Sequence, residues 1–185
     1  MRALAGKGLT RRLIIGLLLA VLIIGALPMA AFADRPEKKS TEHLDKYRVA
    51  KYKVSTFETP VQGSSDKDLS IAGTGGRILT TYVAGYSVYG IMLWKFSYRI
   101  EWYWDSGIIT SVRGNSWPDV YGLGWEYLGL TDNTGYYINN KTGYYARRGA
   151  HFALGSGGYY IQHTYPWIEY HVYAGGNYTV STSAD

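Results

Sequence analysis

Twelve consecutive residues, Trp94 to Asp105, alternate without a break between large apolar and mainly polar side chains, a period that a β-strand can use and a helix cannot. Trp94, Phe96, Tyr98, Ile100, Trp102 and Trp104 fall on one side, and Lys95, Ser97, Arg99, Glu101, Tyr103 and Asp105 on the other. Successive strand side chains point to opposite faces, so this segment has one apolar face to bury and one face for water. That pattern belongs to an antiparallel sheet with a solvated side. Asp105-Ser106-Gly107 supplies a turn, and Ile108 to Arg113 returns as the second arm of a hairpin.

Shorter runs of the same kind predict strands at Ile78 to Tyr89, Gly124 to Leu130, Tyr136 to Asn139, Tyr144 to Leu154, Tyr159 to His163, Trp167 to Tyr173 and Asn177 to Ser181. Turn-rich stretches separate them: Asp132 to Gly135, Asn139 to Gly143, Gly155 to Gly158 and Gly175-Gly176-Asn177. Tyr47 to Phe57 fits either period and stays undecided. Many short strands with glycine-rich turns and no helical stripe predict an all-β fold, an antiparallel β-sandwich, with a jelly roll or a barrel as alternatives.

The first 33 residues differ in kind. Arg2, Lys7, Arg11 and Arg12 precede the apolar run Leu13 to Leu27, Pro28 and the small-residue site Ala31-Phe32-Ala33. This is the order of a secretory signal peptide, with cleavage expected between Ala33 and Asp34. An uncleaved membrane anchor and a twin-arginine signal are the alternatives. The chain is expected to be secreted and extracellular, touching a membrane only through this segment before cleavage. There is no cysteine, which excludes both a disulfide framework and a cysteine-linked lipid.

Charge then reads differently. The whole chain carries a formal +5, but four of its 19 basic residues and none of its 14 acidic ones lie in residues 1–33, leaving 15 against 14 beyond them. A mature charge of +1 without a clustered basic face argues against nucleic acid as a partner. Residues 34–68 are charged and poor in aromatics and read as a linker, a propeptide or a first strand, whereas 69–185 form the aromatic-rich β-domain.

No nucleophile elbow, phosphate loop or spaced metal motif occurs, so no cofactor is implied. His163, Glu169 and His171 are the residues from which a two-histidine, one-carboxylate metal site is conceivable. Glu169 is also the leading carboxylate for glycoside hydrolysis, with Glu101 or Glu126 as its partner, which requires the pair to sit roughly 5 to 9.5 Å apart. The adjacent pairs Tyr136-Tyr137, Tyr144-Tyr145 and Tyr159-Tyr160 each place one ring on each strand face, so one of each should face outward and stack on sugar rings or anchor a partner. Cross-strand packing that merely stabilises the sheet is the plainer account of the same rings.

Two resemblances accompany these readings. Pro166 to Val172 resembles the nucleophile segment of jelly-roll xylanases, although His171 stands where that family has a second aromatic and too few residues follow for its acid/base glutamate. From Tyr86 to Asn177, the order Tyr-Ser-Val-Tyr-Gly at 86–90, Trp94, Ile109-Thr110-Ser111, Gly-Trp-Glu-Tyr at 124–127, Arg-Gly-Ala-His-Phe at 148–152 and Gln-His-Thr-Tyr-Pro-Trp-Ile at 162–168 is similar to small exported proteins of Gram-positive bacteria without an established activity. Cysteines frequent in that group are absent here, and the resemblance implies no catalytic residues. The expected function is a non-catalytic secreted β-domain binding a polysaccharide or cell-surface component. A self-associating envelope or matrix protein and a small glycosidase are the alternatives.

Overall fold

A computed structural model of the chain describes residues 44–61 and 73–184. The expected signal segment, its cleavage site at Ala33 and Asp34, and the boundary between residues 68 and 69 lie outside these residues.

Among the described residues nine strands follow in order: β1 (Lys51–Pro60), β2 (Gly75–Tyr86), β3 (Met92–Asp105), β4 (Ile108–Val120), β5 (Trp125–Ile138), β6 (Gly143–Ser156), β7 (Tyr159–Thr164), β8 (Trp167–Tyr173) and β9 (Tyr178–Ser183). They form two separate antiparallel sheets, β1-β2-β3-β4 and β5-β6-β8-β9 with β7 also on β6. The sandwich reading holds. Neither alternative does: β4 and β5 are not laddered together, so no barrel closes, and strands neighbouring in sequence pair in space, an up-and-down order rather than the crossovers of a jelly roll.

The β3–β4 hairpin turns on Ser106 (φ 52°) and Gly107 (φ 80°), a two-residue loop with both central residues left-handed, as a twisted hairpin prefers. The undecided stretch divides in two: Asp45–Tyr47 is a single 3-10 turn, and β1 begins at Lys51. Two expectations need correction. Asp132 to Gly135 is not a turn but lies inside β5, where register shifts at Tyr127/Gly129 and Leu130/Asp132 absorb the irregularity and Thr134 Oγ1 donates to Asp132 Oδ1 at 2.6 Å. The local hydrogen bonding that suggested a turn is satisfied within a bulged strand. Likewise β4 runs on from Arg113 to Val120 through Pro118, which an outermost strand tolerates because one edge of it needs no ladder donor.

The core lies between the sheets. All six apolar residues of the Trp94 to Trp104 stripe are at most 1% exposed, and they meet Ala146, Ala150, Phe152, Ile168, Tyr170 and Val172 of the facing sheet. Trp94 stacks on Phe152 (4.8 Å, 9°), and Tyr170 donates its hydroxyl to Tyr98 O at 2.9 Å across the layers. Burial drives the Tyr98 phenol pKa up to about 12. At one end Trp125 Nε1 donates to Tyr47 O (2.8 Å), tying the 3-10 turn to the sandwich.

Candidate ligand-binding face

Strands β7 and β8 are two halves of one line. Thr164 pairs with Phe152 and Trp167 with Gly149, so both halves keep the same register on β6, broken only at Tyr165-Pro166. Proline has no N–H to give, but Ala150 N still donates to Pro166 O at 2.9 Å. Through this break burial alternates strictly. Thr164, Pro166, Ile168, Tyr170, Val172 and Ala174 are buried, while His163, Tyr165, Trp167, Glu169, His171 and Tyr173 point outward. Ten residue steps at about 3.3 Å make an outward row roughly 33 Å long.

The neighbouring strands add two clusters to the row. Towards one end Tyr136 of β5 stacks on Tyr145 of β6 (4.9 Å, 27°), which meets His171 edge-on at 5.0 Å. Tyr145 donates its hydroxyl to Glu169 Oε2 (2.9 Å), and His171 Nε2 lies 3.2 Å from Glu169 Oε1. The Arg147 guanidinium sits 4.2 Å over the Trp167 ring, with Nη1 at 3.6 Å from Glu169 and Nε at 3.2 Å from Asp132, ion pairs without hydrogen-bond alignment at Nε. Glu169 is thus held by three neighbours. Burial first, and the Glu169 hydrogen bond second, hold the Tyr145 phenol above its ordinary range.

Towards the other end His151 Nε2 and His163 Nδ1 are 2.9 Å apart, Tyr165 stacks on His151 (4.5 Å, 25°), and Tyr160 meets His163 edge-on. Tyr160 donates to Glu126 Oε2 at 2.9 Å, which raises its pKa. The His151 imidazole is held below its ordinary pKa of 6.5, through burial first and the facing His163 second. The folded protein therefore binds fewer protons here than the unfolded chain, so this stability is present above pH 6.5 and lost as pH falls below it. Melting temperature is expected to drop more between pH 7 and 5 in the parent than in His151→Gln, which keeps a hydrogen-bonding group opposite His163; parallel profiles would refute the assignment.

The tyrosine pairs split as alternation requires at two of three places. Tyr136 and Tyr145 face outward on the sheet's free side, whereas Tyr137 and Tyr144 meet edge-on (5.0 Å) on the inner side and Tyr144 packs against the core. At the third, a register shift beside Gly155 lets both Tyr159 and Tyr160 reach the surface. The suggested metal set is not assembled: His163 pairs with His151, six register positions from the Glu169-His171 pair, about 20 Å along the strand. No group of three or more His, Asp or Glu among the described residues is disposed to hold an ion. The glycosidase pairing fails by the same geometry. Glu101 projects from the outer face of the opposite sheet, and Glu126 lies opposite Ala153 while Glu169 lies opposite Arg147, again about 20 Å apart, against the 5 to 9.5 Å that hydrolysis needs.

Tyr165, Trp167, Arg147, Asp132 and His151 escaped the sequence reading. The signal was present for the first two: the alternation from His163 to Ala174 passes straight through Pro166, between the two predicted strands. No protein-family model, curated protein or solved structure matches the chain.

Proposed function

We propose that the chain is an exported, non-catalytic module that binds an extended polysaccharide or cell-surface glycan along the outer face of the β5–β9 sheet. The observation that carries this reading is the outward row from His163 to Tyr173, roughly 33 Å long, in which five of the six outward side chains are aromatic rings or imidazoles and the sixth is Glu169. Aromatic side chains offer flat apolar area against the C–H faces of sugars, and Arg147, Asp132, Glu169 and Glu126 stand beside them to meet hydroxyl groups. The rings are braced on one another and on Arg147, so little side-chain freedom is left to lose on binding. Export rests on the order of the first 33 residues, and the resemblance to small exported proteins accords with it.

Tyr165→Ala combined with Trp167→Ala is expected to lower retention on an insoluble polysaccharide at least tenfold, equivalent to about 1.4 kcal/mol. Tyr89→Ala, in the exposed β2–β3 loop, should leave retention unchanged. A panel of insoluble polysaccharides and cell walls, with sugar release assayed alongside, provides the test. Equal retention of the double variant would sink the reading, and sugar release would replace binding with hydrolysis.

One feature favours self-association as a second reading. The outermost strand β1 leaves Tyr52, Val54 and Phe57 at 42%, 47% and 54% exposure. Lys51 and Lys53 on the same strand oppose edge-to-edge pairing. Concentration-dependent oligomers in sedimentation, without glycan retention, would decide for it.

A further inference from the structure

The opposite face of the sandwich carries a basin that the outward row does not explain. On the solvent side of the β1–β4 sheet, the register sets Glu101 beside Arg113, Arg99 beside Asn115, and the small, buried Ser97 beside Trp117. Arg99, Glu101, Arg113, Gly114, Asn115 and Trp117 line an open basin of about 500 Å³, within the 300–1,000 Å³ range of small-ligand sites.

Its charges are unequally engaged. Glu101 accepts a hydrogen bond from Tyr103 and lies 3.7 Å from Arg99 Nη2. Arg113, facing the same space, makes no hydrogen bond or ion pair among the described residues. Two guanidinium groups and one carboxylate leave the basin with one net positive charge, presented by the arginine that is free to pair. Guanidinium groups bind planar oxyanions through paired N–H donors. A monoanion neutralises this surplus, whereas a dianion leaves one uncompensated negative charge beside Glu101.

We propose that this basin binds a monoanionic sugar unit, either a uronic-acid carboxylate or a sulfate ester. Arg113 pairs the anion, Asn115 and Glu101 take ring hydroxyl groups, and Trp117 packs against the C–H face of the ring. The site is independent of the glycan-binding row: the two lie on outer faces of different sheets, so one molecule would engage two ligands.

Titration calorimetry of the full chain with methyl glucuronide, glucose 6-sulfate, glucose 6-phosphate and glucose separates the terms. One or both monoanionic sugars should bind at least tenfold more tightly than glucose and than the phosphate, and the tighter of the two identifies the anion. Arg113→Ala should lower that affinity at least tenfold, Arg113→Lys should restore part of it, and Tyr89→Ala in the β2–β3 loop should leave it unchanged. Arg113 is exposed, so the variants should keep the parent melting temperature. Equal binding of glucose, equal or tighter binding of the phosphate, no binding of either monoanion at millimolar concentration, or full affinity in Arg113→Ala would each overturn the proposal.

Discussion

Trp94→Ala is expected to destabilise the protein by about 3–5 kcal/mol, seen as a lower urea midpoint with an unchanged slope. The indole is fully buried, stacks on Phe152 at 4.8 Å, and lies 6.0 Å from Tyr52 and 6.3 Å from Trp125. Removing it empties a space bounded by both sheets, and strands held by ladders on each side cannot collapse into it. Burial of the ring and not its polar atom is what counts: Trp94 Nε1 is buried without a hydrogen-bond partner. Trp94→Phe should accordingly lose less than half as much, because it keeps most of the apolar volume and removes an unsatisfied donor. If Phe and Ala prove equally damaging, the account of the core as ring packing is wrong.

Gly85→Ala is expected to cost about 1–3 kcal/mol by overpacking, a large effect for one methyl group. A Cβ at Gly85 would stand 2.6 Å from Trp94 Cε2, 2.8 Å from Nε1 and 2.9 Å from Cζ2. The ring cannot swing away, because Phe152 holds its other face. Gly85 and Trp94 are direct register partners across β2 and β3, as are Gly75 and Trp104, so each indole lies over a strand backbone stripped of its side chain. Glycine–aromatic pairing across strands lets a sheet carry rings this large in register. The clash needs the ring, so in a Trp94→Ala background Gly85→Ala should cost nearly nothing. Additive losses in that double-mutant cycle would show that Gly85 acts through its own backbone instead.

Both effects concern the inner layer, and the outer faces follow from it. Because Ile168, Tyr170 and Val172 must meet the indole stripe, Trp167, Glu169 and His171 are turned outward with no freedom to choose otherwise. Arg147 and Tyr145 owe their positions to Ala146 in the same way. A functional row on one side of a strand is thus set by packing on the other.

What the chain shows without a structure is the partition of each strand into two faces, since alternation is a property of adjacent residues alone. Trp94 to Asp105, the Ser106-Gly107 hairpin and one outward ring in each of the pairs Tyr136-Tyr137 and Tyr144-Tyr145 were legible for that reason; which ring of each pair faces outward was not. The row from His163 to Tyr173 was equally local, divided only because separate strands are predicted up to His163 and from Trp167, where one line in fact continues in register. Tertiary structure alone decided the rest. That Asp132 to Gly135 stays within a ladder depends on its pairing with Ala146 to Gly149 of the neighbouring strand. That Glu101 and Glu169 face opposite sides of the molecule, and that His163 answers His151 rather than His171, depends on which strands share a sheet and in what register. Those are distances between residues far apart in the chain, and no local period encodes them.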